Sequence, residues 1–283
     1  MAILISILMP AASMVRKNAK ETQQKTQITK IDMALLSFKV EHGNFPPSAE
    51  RIQNDPFRYN PGAVALAEAL VGQDLMGFHS WSIFKNDSQG YDPNPSGGGL
   101  QPLYFSDSYM PPVTERENNL KRRKGPYLDI EGSNAFTLEQ LYGSSTGTLV
   151  KERYVICDVF GVKKLTINKK RYKAGSPILY YRANTASKMI VGARYDQRIY
   201  NYQDNWELLK LKKLPDLDNH LMYEKGRDFF YSDWENAPNP YYKIIDPKAS
   251  TDILKWPHRA DSYILISAGY DGEYGTEDDI FNF

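Results

Sequence analysis

The chain opens on an apolar run, Met1 to Met9 (MAILISILM), continued by Pro10-Ala11-Ala12-Ser13-Met14-Val15, and charge begins only at Arg16. Such a stretch is apolar all round, which suits burial on every side and not one-sided packing. From Arg16 to Lys30 the chain is rich in Lys, Gln, Thr and Asn. Ile28, Ile31, Leu35 and Phe38 then recur at three- and four-residue spacing and predict one apolar stripe on a helix. Gly43 is a helix stop, with Pro46-Pro47 just beyond it. These features predict a single helix to His42, about 60 Å long at ~1.5 Å per residue. Its inner half carries a stripe that can dock on a domain, and its outer half has no evident cover in its own chain.

Further along, Ala63 to Val71 (AVALAEALV) predicts a short helix stopped by Gly72, and Asn86 to Gly99 reads as a turn-rich insertion. Strands are expected at Arg153–Phe160, Lys164–Ile167, Ile178–Arg182 and Tyr263–Ser267, each rich in Val, Ile, Tyr or Phe. Asp218 to Trp234 is expected to be helical around Leu221, Phe229 and Phe230, with Gly226 as its weak point. The expected fold class is α+β. A long N-terminal helix, residues 1–43, packs on an antiparallel or mixed sheet of one globular domain, residues 44–283, with a large insertion.

Composition narrows the options. Of 283 residues, 35 are Lys or Arg and 34 Asp or Glu, so the net charge is +1 and no chain-wide field draws nucleic acid or acidic lipid. The apolar N-terminal stretch is shorter than the ~20 residues a bilayer span needs, and no basic residue precedes it as in a secretory signal. It reads as the second half of a longer apolar helix. Cys157 is the one cysteine, so no internal disulfide is expected, and its strand-like setting predicts a buried, inert thiol. Lys121-Arg122-Arg123-Lys124 reads as a solvated basic loop. His42, His79, His220 and His258 are scattered, and there is no CxxC, P-loop or GxSxG, so no enzyme is expected. One constellation has chemical content. Asp271, Glu273, Glu277, Asp278 and Asp279 crowd a turn with Gly272, Gly275 and the Thr276 hydroxyl. A hard cation such as Ca²⁺ takes six to eight oxygens of this kind. The residues alone leave a solvated acidic turn and a cation loop equally open.

Two segments carry a family resemblance. Ala2-Ile3-Leu4-Ile5-Ser6-Ile7-Leu8-Met9-Pro10-Ala11, the Lys/Arg/Gln/Thr helix, and Glu41-His42-Gly43-Asn44-Phe45-Pro46-Pro47 resemble type IV pilin-like proteins. The likeness is greatest to the major pseudopilin of type II secretion. Ser267-Ala268-Gly269-Tyr270-Asp271-Gly272, followed by Gly275-Thr276-Glu277-Asp278-Asp279-Ile280, resembles the calcium loop of that family. The resemblance implies a structural filament subunit. Ile3, Leu4, Ile7, Leu8, Pro10 and Val15 would form the assembly helix, and Ile28, Ile31, Leu35 and Phe38 would pack it on the domain. It implies Ca²⁺ as cofactor, held by Asp271, Asp278 and Asp279 with Thr276 secondary. It also implies copies of the chain, an inner-membrane platform and an ATPase as partners, and no nucleic acid. Residence would be the bacterial inner membrane with a periplasmic domain, then a periplasmic or extracellular filament. The sequence departs from the family where the leader, the cleavage-site glycine and the first-position phenylalanine would stand. If Pro10 matches the family proline, about a dozen residues precede Met1, and with them the apolar run exceeds the ~20 residues of a span. Residues 50–250 exceed the compact family domain, and nothing is carried over to them. The competing expectation is a membrane-anchored, calcium-dependent binding module that does not polymerise.

Overall fold

A computed structural model describes residues 2–48, 60–86, 89–91, 100–106, 110–188, 198–215, 218–225, 244–250 and 256–283, with the backbone alone for residues 2–12, 89, 91 and 100. The N-terminal pattern forms one helix, α1 (Ala2–His42), which runs on through Pro10. At its end Gly43 has φ +82°, and its N–H donates to the Lys39 carbonyl at 2.8 Å. Only glycine adopts that conformation cheaply, so the helix stops there. Phe45 then turns inward, edge-on to the Tyr263 ring at 4.7 Å, and the Tyr180 hydroxyl donates to the Pro46 carbonyl at 2.6 Å.

Then follow α2 (Gly62–Val71), β1 (Phe78–His79), β2 (Gln89–Tyr91), β3 (Leu100–Pro102), α3 (Val113–Lys121), β4 (Arg123–Lys124), β5 (Ala135–Thr137) and α4 (Leu138–Tyr142). The second half contributes β6 (Tyr154–Ile156), β7 (Lys163–Ile167), β8 (Lys170–Ala174), β9 (Leu179–Arg182), a 3-10 turn at Tyr202–Asn205, α5 (Trp206–Leu209), α6 (Leu221–Lys225), β10 (Tyr263–Ser267) and β11 (Ile280–Phe281). The architecture is mixed helix with small antiparallel sheets. The central one has the order β11-β10-β9, in register through Leu265↔Tyr180 and Ser267↔Ile280.

Period-two alternation splits that sheet between two cores. Tyr180, Tyr263, Leu265 and Ile280 join the α1 stripe and Leu66 and Leu70 of α2. Leu179, Tyr181, Ile264 and Ile266 join the core on the opposite face. Both faces are covered, which is why Tyr-Ile-Leu-Ile-Ser of β10 is apolar almost throughout. Helix α2 is buried along its whole length, Glu68 included, in keeping with a run that is otherwise apolar on every side. Ile28, Ile31, Leu35 and Phe38 of α1 are all buried. Truncating one such side chain to Ala removes about 2–5 kcal/mol of stability.

The structure redraws several expected elements. The predicted strand Arg153–Phe160 is shortened to β6, with Cys157 continuing only as a bridge to Pro177. Within the expected loop Asn86–Gly99, Gln89–Tyr91 pairs with β3, and residues 92–99 lie outside the described residues. Of the expected helix Asp218–Trp234, Leu221–Lys225 is helical, and residues 226–234 lie outside the described residues. Lys121–Lys124 forms the end of α3 and the strand β4, with Lys121, Arg122 and Lys124 exposed as expected of a solvated run and Arg123 drawn inward. The Arg123 guanidinium meets Asp74 at 2.9 Å with both side chains 4% exposed, and it also donates to the Leu103 and Gly77 carbonyls. Arg122 lies over the Trp81 ring at 3.8 Å. The partner carboxylate stands 49 residues upstream, beyond any local pattern.

Candidate functional site

Two features remain after the fold is accounted for, the outward face of α1 and the carboxylate loop between β10 and β11. Helix α1 is held on the domain by more than its apolar stripe. The Lys20 ammonium donates to the Val159 carbonyl at 2.8 Å, the Val159 N–H donates to Gln24 Oε1 at 2.9 Å, and Gln27 Nε2 donates to the Cys157 carbonyl at 2.9 Å. Near the helix's far end, the Tyr263 hydroxyl donates to Asp32 Oδ1 at 2.7 Å, and the Tyr127 hydroxyl donates to Glu41 at 2.6 Å. These polar contacts, absent from the sequence reading, had a signal. Lys20, Gln24, Gln27 and Ile31 continue the 4-3-4 spacing of the buried stripe with polar residues.

The opposite face of the same helix is uncovered. Val15, Ala19, Thr22, Thr26, Thr29, Met33, Leu36 and Val40 alternate at four and three residues, and all are exposed. Leu36 is 53% exposed, Met33 65%, Val15 67% and Val40 85%. A solvent-facing stripe ordinarily carries charged side chains, but here no residue of the row bears a charge. Instead Lys25 and Lys30 lie to its sides. The hydroxyls of Thr22, Thr26 and Thr29 donate back to the carbonyls four residues earlier, each at 2.9 Å. Their donors are satisfied within the helix, so covering this face strands no hydroxyl proton. The 4-3 alternation is the seam spacing by which helices pack on one another. Of the residues expected in the assembly helix, Val15 lies on this row. Ile3, Leu4, Ile7, Leu8 and Pro10 lie on the α1 backbone, and their side chains lie outside the described residues. Among the described residues no helix is long and apolar enough to cross a membrane.

The loop from Ala268 to Asp279 is closed by the β10–β11 pairing. Gly269, with φ +68°, brings the backbone so near Asp278 that a Cβ would lie 2.3 Å from its carbonyl oxygen. Asp278 Oδ2 accepts from the N–H groups of Tyr270 at 2.6 Å and Asp271 at 3.1 Å, and Asp278 Oδ1 accepts from the Thr276 hydroxyl at 2.7 Å. Asp271 accepts from the Glu273 N–H at 2.8 Å. Asp279 turns inward, and its Oδ2 accepts from the Gly275 N–H at 2.7 Å. Its other oxygen, Oδ1, is buried without a hydrogen-bond partner. Burial pushes the Asp279 carboxyl well above the usual range, and Asp278 and Asp271 push it further. Asp271 is raised by burial and then by the Asp278 carboxylate.

Asp271, Thr276 and Asp278 thus meet in one turn, while Asp279 approaches it from the buried side. Among the described residues, no group of three or more His, Cys, Asp or Glu side chains converges as a ready metal shell. The donor chemistry still fits a hard cation. An orphaned buried carboxylate oxygen and two mutually repelling neighbours are the groups that a divalent ion would satisfy. Glu273 is half-buried and bonds outside the loop, accepting from the Lys213 ammonium at 3.2 Å and from the Leu221 N–H at 3.2 Å.

Beneath the loop, Ser267 donates to the buried Asp158 at 3.1 Å, and burial lifts that carboxyl to about 7. Cys157 next to it is fully buried, and burial pushes its thiol well up, away from the reactive thiolate. Comparison of the chain with protein-family models, with curated proteins and with solved structures returns no match.

Proposed function

We propose that this chain is a structural subunit of a pilus-like or pseudopilus filament, assembled through α1 and requiring no catalytic step of its own. The observation that carries the reading is the uncharged row from Val15 to Val40. A helix docked by one face and free of charge on the other has two packing surfaces, one for its own domain and one for a neighbouring copy. The sequence of Ala2–Val15 is apolar and would lengthen that surface toward the N-terminus, and the pilin-like resemblance of both chain ends supports the reading. Contacts of this kind are heterologous and build an open helical array. In this reading the subunit resides in the inner membrane before assembly. A platform and an ATPase then extract it into a periplasmic or extracellular fibre.

Calcium has a mechanical role in the same proposal. Asp271, Asp278, Asp279 and Thr276 would hold Ca²⁺, which would neutralise their mutual repulsion and tie β11 to the end of β10. An ion that binds the folded state alone stabilises it by mass action, which supplies the cross-link that a single cysteine cannot.

Negative-stain electron microscopy of the full chain is the test. Fibres are expected from the parent, and none from Thr22→Lys/Thr29→Lys, whose melting temperature should stay within a few degrees because both sites are exposed. A monodisperse parent at high concentration in detergent would instead favour the anchored binding module.

A further inference from the structure

The chain-wide charge near zero conceals a local segregation. Between Lys163 and Ala174 stand Lys163, Lys164, Lys169, Lys170, Arg171 and Lys173, with no Asp or Glu among them. Without these six cations the chain's formal charge falls from +1 to −5. They fold into the β7–β8 hairpin, a two-stranded ribbon with no third strand beside it among the described residues. Lys163 is the inner one. Its ammonium donates to the Leu141 carbonyl, and burial lowers its basicity. Lys164, Lys169, Lys170, Arg171 and Lys173 are exposed, and among the described residues none of their side chains makes an ion pair or hydrogen bond.

Two local features work against stability and concentrate the charge. Lys164 stands directly across the ladder from Lys173, a like-charge pairing that destabilises a hairpin. Lys169 occupies the turn at φ +64°, where glycine is the favoured residue. Sequences break such local rules where another requirement outweighs them. Next to Lys173 on β8, Tyr172 leans on the Phe136 ring at 6.3 Å, which braces the ribbon against the domain.

We propose that the β7–β8 ribbon is a docking surface for a nucleic-acid duplex, held through its phosphates. The charge is of the right sign and is not neutralised by any described residue. The shape fits as well, because a two-stranded ribbon with strands about 4.8 Å apart enters a major groove about 12 Å wide. The tip, Asn168-Lys169, is polar and carries no apolar wedge of the kind that anchors a surface in lipid. Phosphate contacts of this type confer affinity without sequence preference. The inference does not depend on filament assembly, because each copy carries its own ribbon.

Fluorescence anisotropy of a short random-sequence DNA duplex, titrated with the full chain, tests this. With four to five phosphates neutralised, log K should fall with log salt at a slope of roughly −4, about 250-fold between 50 and 200 mM. Lys164→Gln/Arg171→Gln/Lys173→Gln should flatten that slope by about 3. Arg171→Lys, which keeps the charge, should retain the parent slope, and so should Lys17→Gln/Lys30→Gln on α1. A melting curve for each variant confirms that it is folded. The proposal is overturned by no duplex binding at 50 mM salt, or by equal binding of the triple variant. It is also overturned if vesicles rich in anionic phospholipid, or a sulfated polysaccharide, bind more tightly than the duplex with the same dependence on these side chains.

Discussion

Glu68 is a wholly buried carboxyl in the body of the domain. It sits on α2 and accepts from the Ser82 hydroxyl and from Asn60 Nδ2 at 3.4 Å. Burial lifts it from an ordinary 4.5 to about 7, against the smaller opposing pull of those hydrogen bonds and of Arg153. The folded-state value exceeds the unfolded one, so the fold favours the protonated acid. That contribution is complete below pH 4.5 and is lost as the pH rises through about 7. Glu68→Gln keeps an acceptor for Ser82 without the charge. Urea unfolding should show the parent losing on the order of 3 kcal/mol more than the variant between pH 4 and 8. Parallel pH profiles for the two proteins would contradict this burial argument. Nothing local in Ala-Glu-Ala-Leu distinguishes this carboxyl from a solvated one, because its partners arrive from residues 60, 82 and 104.

At the scale of elements, what the sequence made legible were segments whose periodicity decides their surroundings. The α1 stripe, the α2 run and β10 are strongly patterned, and the structure forms each within a residue or so of its expected bounds. Strand β8 was missed because Lys-Arg-Tyr-Lys has no apolar alternation, and it forms only by pairing with β7 across the Asn168-Lys169 turn. The outward row of α1 was equally hard to see. Threonines alternating with a few aliphatics read as an unremarkable polar face until the other face is known to be docked. In the C-terminal loop the residue types were legible, but not their division of labour, since Asp278 gathers backbone N–H groups while Asp279 faces inward. If calcium ties this loop, adding the ion should raise the melting temperature of the parent and a chelator should lower it. At a hundredfold excess over Kd the gain is about 2.7 kcal/mol. Asp278→Ala should abolish the response as well as lowering the baseline. Superimposable parent melting curves in calcium and in chelator would remove the ion from this account.

For the whole molecule, α1 is the member that would connect subunit to assembly in the proposed filament. One side of it is fastened by Ile28, Ile31, Leu35, Phe38 and by side-chain bonds from Lys20 to Glu41. The other side is an uncharged seam with its hydroxyls already satisfied. Because Lys20 is tied to Val159, the helix is held on the domain from Lys20 onward, beyond the reach of the apolar stripe alone. The central claim is that a second copy covers the seam. The most direct measurement places a photo-reactive benzoylphenylalanine at Thr29 in the full chain, irradiates cells that express it, and identifies the cross-linked peptides by mass spectrometry. The account predicts a ladder of dimers and higher species joined from residue 29 of one copy to α1 of another. Cross-links to lipid alone, or to unrelated proteins with no α1-to-α1 product, would contradict it.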